Sequence, residues 1–160
     1  MKHKNLFVAI FALFLISCNT SGSNGGGAIG EKKEQNEPNY NVALNFMNEY
    51  VSRSMNPYVD IVDWVNERKD VTNDFKAELK RILDKAAEED PIMGLGFDPI
   101  LNAQDSPGQF ELDYVDSEFV IVKGVDYSEF QLALKLKYEN NDWLLDGAGI
   151  INIDSDKRVN

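Results

Sequence analysis

Carboxylates and tyrosines are the side chains with which this sequence could do chemistry, because other reactive groups are scarce. Its 160 residues include 27 Asp and Glu, 6 Tyr, one His, His3, and one Cys, Cys18. Catalysis of the Ser-His-Asp or Cys-His kind needs an imidazole to accept the proton, and zinc sites usually need Cys or His ligands. Any catalysis would therefore use carboxylates, Lys, Tyr or a hard cation held by oxygen atoms.

Cys18 follows a segment that predicts secretion. A short basic start precedes residues 6–16, an uninterrupted apolar run of 11 residues. As a helix this run would rise about 16 Å, roughly half of the hydrocarbon core of a bilayer, so it is too short to span a membrane. Its length and flanking residues are typical of a signal peptide.

Residues 15–18, with the sequence LISC, resemble the lipobox of bacterial lipoproteins. The resemblance implies that residues 1–17 are removed and that Cys18 becomes a lipid-modified N-terminus, which anchors the chain to a membrane. Several acyl chains anchor stably, because each buried methylene contributes about 0.8 kcal/mol. Asn19 is not the Asp of a known inner-membrane retention signal, which favours the outer membrane of the cell envelope and leaves the leaflet open. The alternatives are an ordinary signal peptide or a signal anchor.

The charge balance excludes some partners. Without residues 1–17 the chain has 14 basic and 27 acidic residues, a net charge of −13, and no histidine. Nucleic-acid binding rests on Lys and Arg contacts with phosphates, so the composition predicts no nucleic-acid partner. An acidic surface keeps a secreted protein soluble, or it steers a basic protein partner or a cationic ligand.

Composition divides the predicted mature chain into a tether and one domain. Residues 18–38 continue from the lipid-modified Cys as a Gly-, Ser- and Asn-rich and then charged segment, which cannot form a core. A flexible chain of roughly 20 residues reaches about 25 Å on average. Residues 39–160 then have the length of a single domain.

Helical spacing of apolar residues predicts three helices at the start of this domain. The first covers residues 40–51. The second begins with Asn56 as N-cap and Pro57 in the first turn. Its apolar stripe is Tyr58, Ile61, Val62 and Val65. The third begins after Thr72 and ends at Asp90, before a proline.

After Gly94 the hydrophobic period changes to two, which is typical of strands. Three runs carry strand signals: residues 110–114, 118–123 and 130–138. Asn140 and Asn141 supply a turn to a last strand, in which Gly147 and Gly149 mark a bend or bulge. Helices followed by hairpin-connected strands predict an α+β fold, with three N-terminal helices packed on one face of a curved antiparallel sheet.

Two segments resemble a known fold family. Residues 134–146 end in a polar turn and a Trp-containing strand, and are similar to the closing hairpin of the nuclear-transport-factor-2-like cone, within the cystatin-like fold group. Residues 98–105 resemble a segment in uncharacterised bacterial lipoproteins and periplasmic proteins with this cone. That family has no established activity, so the resemblance implies a fold and an envelope location and no reaction.

Cones of this superfamily often hold a pocket between the helices and the sheet, which some members use for proton abstraction next to a carbonyl. That chemistry needs a carboxylate base and a donor such as Tyr. The candidate pocket residues are Tyr58, Trp64, Asp98, Gln104, Asp105 and Tyr114. The alternative is structural: Asp98 and Asp105 cap the loop that leads to the first strand, and Trp64 belongs to the core.

The sequence therefore predicts a membrane-anchored, non-catalytic binding module that takes a protein partner or a small ligand. No catalytic residue, metal ligand or cofactor site is assigned, since no motif for one is complete. Two alternatives stay open: a small-molecule-binding or isomerase-type enzyme that uses carboxylate and Tyr chemistry, and an immunity-type inhibitor of a basic effector protein.

Overall fold

The computed structural model describes residues 37–56 and 58–159, and the fold below is the fold of these residues. The predicted signal peptide, Cys18 and nearly all of the predicted tether lie outside them. In the described part of the chain, no helix is both long enough and apolar enough to cross a membrane.

Three α-helices occur in these residues: α1 is Tyr40–Ser54, α2 is Ile61–Glu67 and α3 is Asn73–Glu89. The Thr72 hydroxyl accepts a hydrogen bond from Phe75 N at 3.1 Å, which confirms the predicted start of the third helix. Asp90 is the C-cap of α3, so its predicted end is confirmed as well.

The predicted start of the second helix is wrong. α2 begins at Ile61, where the Asp60 carboxylate accepts hydrogen bonds from two amides of the first turn at 2.9 and 3.1 Å. Asn56 accepts instead from Tyr58 N at 3.1 Å in a local turn. Tyr58 is 95 % exposed and lies outside the helical stripe. A carboxylate that accepts two amides at a helix N-terminus is a stronger cap than a neutral amide side chain.

Four strands of the described residues form one antiparallel sheet: β1 is Phe110–Val115, β2 is Phe119–Gly124, β3 is Gln131–Glu139 and β4 is Asp142–Ala148. They lie in the order β1-β2-β3-β4, and the sheet is not closed. Asn140 and Asn141 join β3 to β4 with φ of 53° and 69°. This confirms the predicted turn, because a two-residue type I′ turn needs positive φ at both positions.

The main core lies between the helices and one face of the sheet. α1 contacts all four strands, and its Phe46 and Met47 are fully buried. The sheet contributes Leu134 and Leu145, among others, to the same cluster. The predicted α+β fold with helices on one face of an antiparallel sheet is therefore confirmed.

The opposite face of the sheet carries a second apolar cluster that alternation does not predict. It consists of Phe119, Ile121, Ala133 and Ile153, with Val159 packed against it. Ala133 alternates with leucines in β3, and this alternation places it on the face expected to be polar. It is buried because the C-terminal segment that carries Ile153 and Val159 lies over this face.

The predicted alternation of the first strand breaks at a β-bulge between Leu112 and Tyr114. Beyond the bulge Tyr114 lies opposite Ile121, which belongs to the second cluster. Residues directly opposite each other in an antiparallel pair share a face. Tyr114 therefore lies on the face away from the helices, and it is about half exposed.

Candidate functional site

Asp98 has the most hydrogen bonds of the predicted pocket residues, and it lies where a loop meets α1. Its Oδ2 accepts a hydrogen bond from the Tyr50 hydroxyl at 2.6 Å. Its Oδ1 accepts from Ile100 N at 2.8 Å and Leu101 N at 3.0 Å. Asp98 N also donates to Ala103 O at 2.9 Å. Asp98 thus orders this loop, as the structural alternative proposed.

Burial controls the protonation of the Tyr50–Asp98 pair. Burial raises the pKa of Asp98 above its ordinary value, although the hydrogen bonds from Tyr50 and from two amides act in the opposite direction. Burial and the neighbouring carboxylate raise the pKa of the Tyr50 hydroxyl well above its ordinary value. The Tyr50 hydroxyl is therefore protonated and donates at neutral pH. The pair combines a carboxyl group with a neutral tyrosine, which are the two residue types that proton abstraction next to a carbonyl requires.

The loop that contains Asp98 also contains Gln104 and Asp105. Gln104 Nε2 donates to Gly96 O at 3.1 Å. Asp105 is exposed, and its side chain has no hydrogen bond or ion pair with any residue of 37–56 or 58–159. The expectation that Asp105 caps this loop is therefore wrong. Two residues after it comes Pro107, which has no N–H, and Gly108 N donates to the Asp126 carboxylate instead.

Trp64 belongs to an aromatic cluster on the helical side of the domain. Its ring centroid lies 6.2 Å from that of Tyr50. The Arg68 guanidinium lies 4.8 Å from the Trp64 ring centroid and forms ion pairs with Glu49 and Asp70. These contacts pack Trp64 against the core and place it, through Tyr50, near Asp98.

The six predicted pocket residues are thus distributed over several parts of the domain. Trp64 and Asp98 share a contact with Tyr50, and Gln104 and Asp105 lie in the loop of Asp98. Tyr58 is exposed between α1 and α2, and Tyr114 lies on the other face of the sheet. None of five surface cavities on the described part of the chain is lined by any of the six. The candidate pocket stays a prediction.

A polar groove of about 620 Å³ is lined by residues of α3, the sheet and the C-terminal segment. Its lining includes the buried Asp146, whose Oδ1 accepts from the Thr72 hydroxyl at 2.8 Å. Arg158 and Ile153 also line the groove, and the Arg158 guanidinium donates two hydrogen bonds to Ile153 O. Within the described ranges, no three His, Cys, Asp or Glu side chains are grouped to hold a metal ion. The groove is a mixed-charge surface whose deepest carboxylate already has a partner.

A smaller cleft of about 130 Å³ lies between the start of α1, the β1–β2 turn and Trp143. Tyr40 and Leu136 line it with Trp143, whose indole N–H has no hydrogen-bond partner in the described part of the protein. Pockets for drug-sized ligands measure about 300–1,000 Å³, and a water molecule takes up about 30 Å³ of liquid. This cleft therefore has room for a few waters.

Fold and site together define an open-sheet α+β domain with a packed interior and an acidic surface. No family model matches this sequence, and comparisons with curated proteins and with solved structures find no match either.

The protonation of Asp98 leads to a testable prediction. We expect the wild type to lose stability relative to Asp98→Asn as the pH rises above about 4. The asparagine side chain keeps the shape and the acceptor for the two amides but cannot ionise. Folding raises the pKa of Asp98, so the folded protein holds this proton more tightly than the unfolded chain does. The resulting stabilisation is complete at a pH below the unfolded pKa, and it is lost as the pH rises through the folded pKa. Urea unfolding of both proteins over a pH series measures the difference.

Asp105→Asn is the matched control, because the same chemical change is made in the same loop at a carboxylate without partners among the described residues. Its unfolding free energy at neutral pH should equal that of the wild type, because no contact among the described residues is lost. If the unfolding free energies of the wild type and Asp98→Asn change with pH in parallel, the raised pKa of Asp98 is contradicted.

Proposed function

We propose that this chain is a lipid-anchored protein of the bacterial cell envelope whose domain binds another protein and catalyses no reaction. The anchor rests on the sequence LISC at residues 15–18, directly after an apolar segment. In this proposal residues 1–17 are a signal peptide, Cys18 carries the lipid, and residues 18–38 are a tether. The outer membrane is favoured by Asn19, and either leaflet would suit the tether.

The domain, residues 39–160, is proposed to be a nuclear-transport-factor-2-like cone, as in uncharacterised bacterial lipoproteins and periplasmic proteins. Three features support this: the helices precede the sheet, the strands are adjacent in chain order, and Trp143 lies in the last hairpin. The cone would place its ligand-binding space between α1 and the sheet.

The observation that carries the binding function is the filling of that space by side chains. Phe110, Leu132 and Leu134 on the sheet are at most 1 % exposed, and they belong to one cluster with Phe46 and Met47 of α1. A domain packed in this way presents its outer surface to a partner. That surface is acidic, which suits a basic protein and disfavours nucleic acid or anionic lipid.

A small-molecule-binding or isomerase-type enzyme is the second candidate, and the Tyr50–Asp98 hydrogen bond favours it. Such an enzyme would need an opening that admits a substrate to this pair. The packed surroundings make that function second to protein binding. An immunity-type inhibitor of a basic effector is one form of the binding function.

The anchor is tested at Cys18. In cells fed an alkyne analogue of palmitate, we expect the wild type to be labelled and to fractionate with membranes. Cys18→Ser should lose the label, because it lacks the thiol that would carry the lipid. Asn19→Asp is the control, which keeps the thiol and should keep the label. An unlabelled wild type, or a mature mass that still includes residues 1–17, would contradict the anchor.

A further inference from the structure

The turn directly after α3 exposes two large apolar side chains. Ile92 is 92 % and Met93 is 72 % exposed. Neither belongs to the apolar clusters of the domain, whereas Leu95 of the same turn packs against the main core. The turn is therefore attached to the domain through Leu95 while Ile92 and Met93 face solvent, where apolar side chains gain nothing for the fold.

Hydrogen bonds hold this turn in one conformation. The Asp90 carboxylate accepts from Ile92 N and Met93 N, each at 3.0 Å, and Gly94 N donates to Asp90 O at 2.9 Å. Gly94 has φ of 60°, which glycine adopts without strain. Gln104 holds the far end of the turn at Gly96 O. A surface that is already ordered loses little conformational entropy when it binds.

The chain around the turn carries charge of one sign. Residues 86–110 contain five Asp or Glu residues and no Lys, Arg or His. Glu88 and Asp105 are exposed, and their side chains have no partner among the described residues. Asp90 stays ionised, because the amides of Met93 and Ile92 lower the pKa of its carboxyl group. Arg81 and Lys85 line a cleft with Leu95 beside the turn, but they form ion pairs with Glu78 and Glu89. The carboxylates of Glu88 and Asp105 therefore border the apolar tip without a compensating charge.

From these observations we infer that residues 91–96, the docking turn, insert Ile92 and Met93 into an apolar pocket of a protein whose pocket rim is basic. A few well-exposed apolar anchors supply most of the affinity of an interface, and complementary charges at the rim set the rate and the specificity of association. The inference rests on the proposed binding function, for which it names the surface and the class of partner.

Charge argues against two other occupants of this surface. A second copy of the chain would bring the same carboxylates together, and like charges across an interface cost affinity. An anionic lipid surface would repel them in the same way. A basic protein is the occupant that compensates the charge and covers the apolar tip.

In-cell photo-crosslinking of the full-length chain tests the inference. The probe is p-benzoylphenylalanine, placed at the position of Ile92 or at that of Tyr58, which is equally exposed in another loop. We expect position 92, and not position 58, to form one adduct with a protein that mass spectrometry identifies as basic. The combination of Glu88→Lys and Asp105→Lys should lower the adduct yield about fivefold or more.

The control for charge is the combination of Glu118→Lys and Glu129→Lys, which makes the same change in net charge at two exposed carboxylates in the β-hairpin turns. It should leave the yield unchanged. An adduct with lipid, a homodimer, an acidic partner, or equal loss in both charge variants would overturn the inference. An adduct at position 58 alone would overturn the docking turn and keep the proposed binding function. If the probe is moved over the other exposed positions and no protein adduct forms at any of them, both the docking turn and the binding function are overturned.

Discussion

Gly149→Ala is expected to destabilise the domain by about 2–5 kcal/mol. A Cβ atom at this position would lie 2.4 Å from Pro99 O and 2.5 Å from Ile100 O, which are backbone atoms that cannot rotate away. Gly149 also has φ of 57°, a left-handed conformation that costs other residues about 1–2 kcal/mol. The clash adds about 1–3 kcal/mol. Urea unfolding at neutral pH measures the loss.

Gly94→Ala separates these two effects. Gly94 has nearly the same φ, 60°, but a Cβ atom added there would have no described neighbour within 4 Å. Its substitution should therefore cost only the conformational part, about 1–2 kcal/mol. Equal losses for Gly94→Ala and Gly149→Ala would show that the end of β4 does not pack against the loop of Asp98 as described.

Phe46→Ala is expected to cost about 3–5 kcal/mol. The Phe46 ring is fully buried, and its centroid lies 5.5 Å from that of Trp64 and 6.0 Å from those of Tyr50 and Phe75. Removal of the ring leaves a cavity between α1, α2 and α3, which rigid neighbours fill only in part. The midpoint of urea unfolding should fall with little change in its slope.

Phe97→Ala is the control for this substitution, because Phe97 is 36 % exposed and outside the apolar clusters. The same loss of a ring should cost only about 1–2 kcal/mol there, because about a third of the Phe97 side chain is already in solvent. A Phe46→Ala protein as stable as Phe97→Ala would contradict a core centred on α1 and, with it, the filled interior that supports the binding function.

Elements that depend on a few neighbouring residues were predictable from the sequence. Thr72 caps α3 because its hydroxyl reaches an amide three residues away, and Asn140 and Asn141 form a turn because both tolerate positive φ. The same local logic failed between α1 and α2, where two capping residues compete. Asp60 accepts two amides and starts the helix there, in place of the predicted Asn56.

The candidate site was less predictable, since its contacts join distant parts of the chain. Tyr50, the partner of Asp98, is 48 residues away from it, and no spacing pattern indicates that they meet. Arg68 and Asp146 were missed for the same reason. The role of Arg68 comes from helix packing. Asp146 lies where the pairing of β3 with β4 shifts register, between the pairs Lys135–Gly147 and Leu136–Leu145. The exposure of Ile92 and Met93 was not predictable either, because the sequence of this loop does not show whether another element covers its apolar side chains.

What the sequence by itself determined is the class of fold, most of its caps and turns, the acidic charge, and the lack of a histidine in the predicted mature chain. These follow from composition, from periodicity and from hydrogen bonds within a few residues. Tertiary structure alone decided that the interior is filled, that the C-terminal segment covers the second face of the sheet, and that an apolar turn is left in solvent. Those outcomes depend on how helices, strands and loops share buried area, which no local pattern specifies.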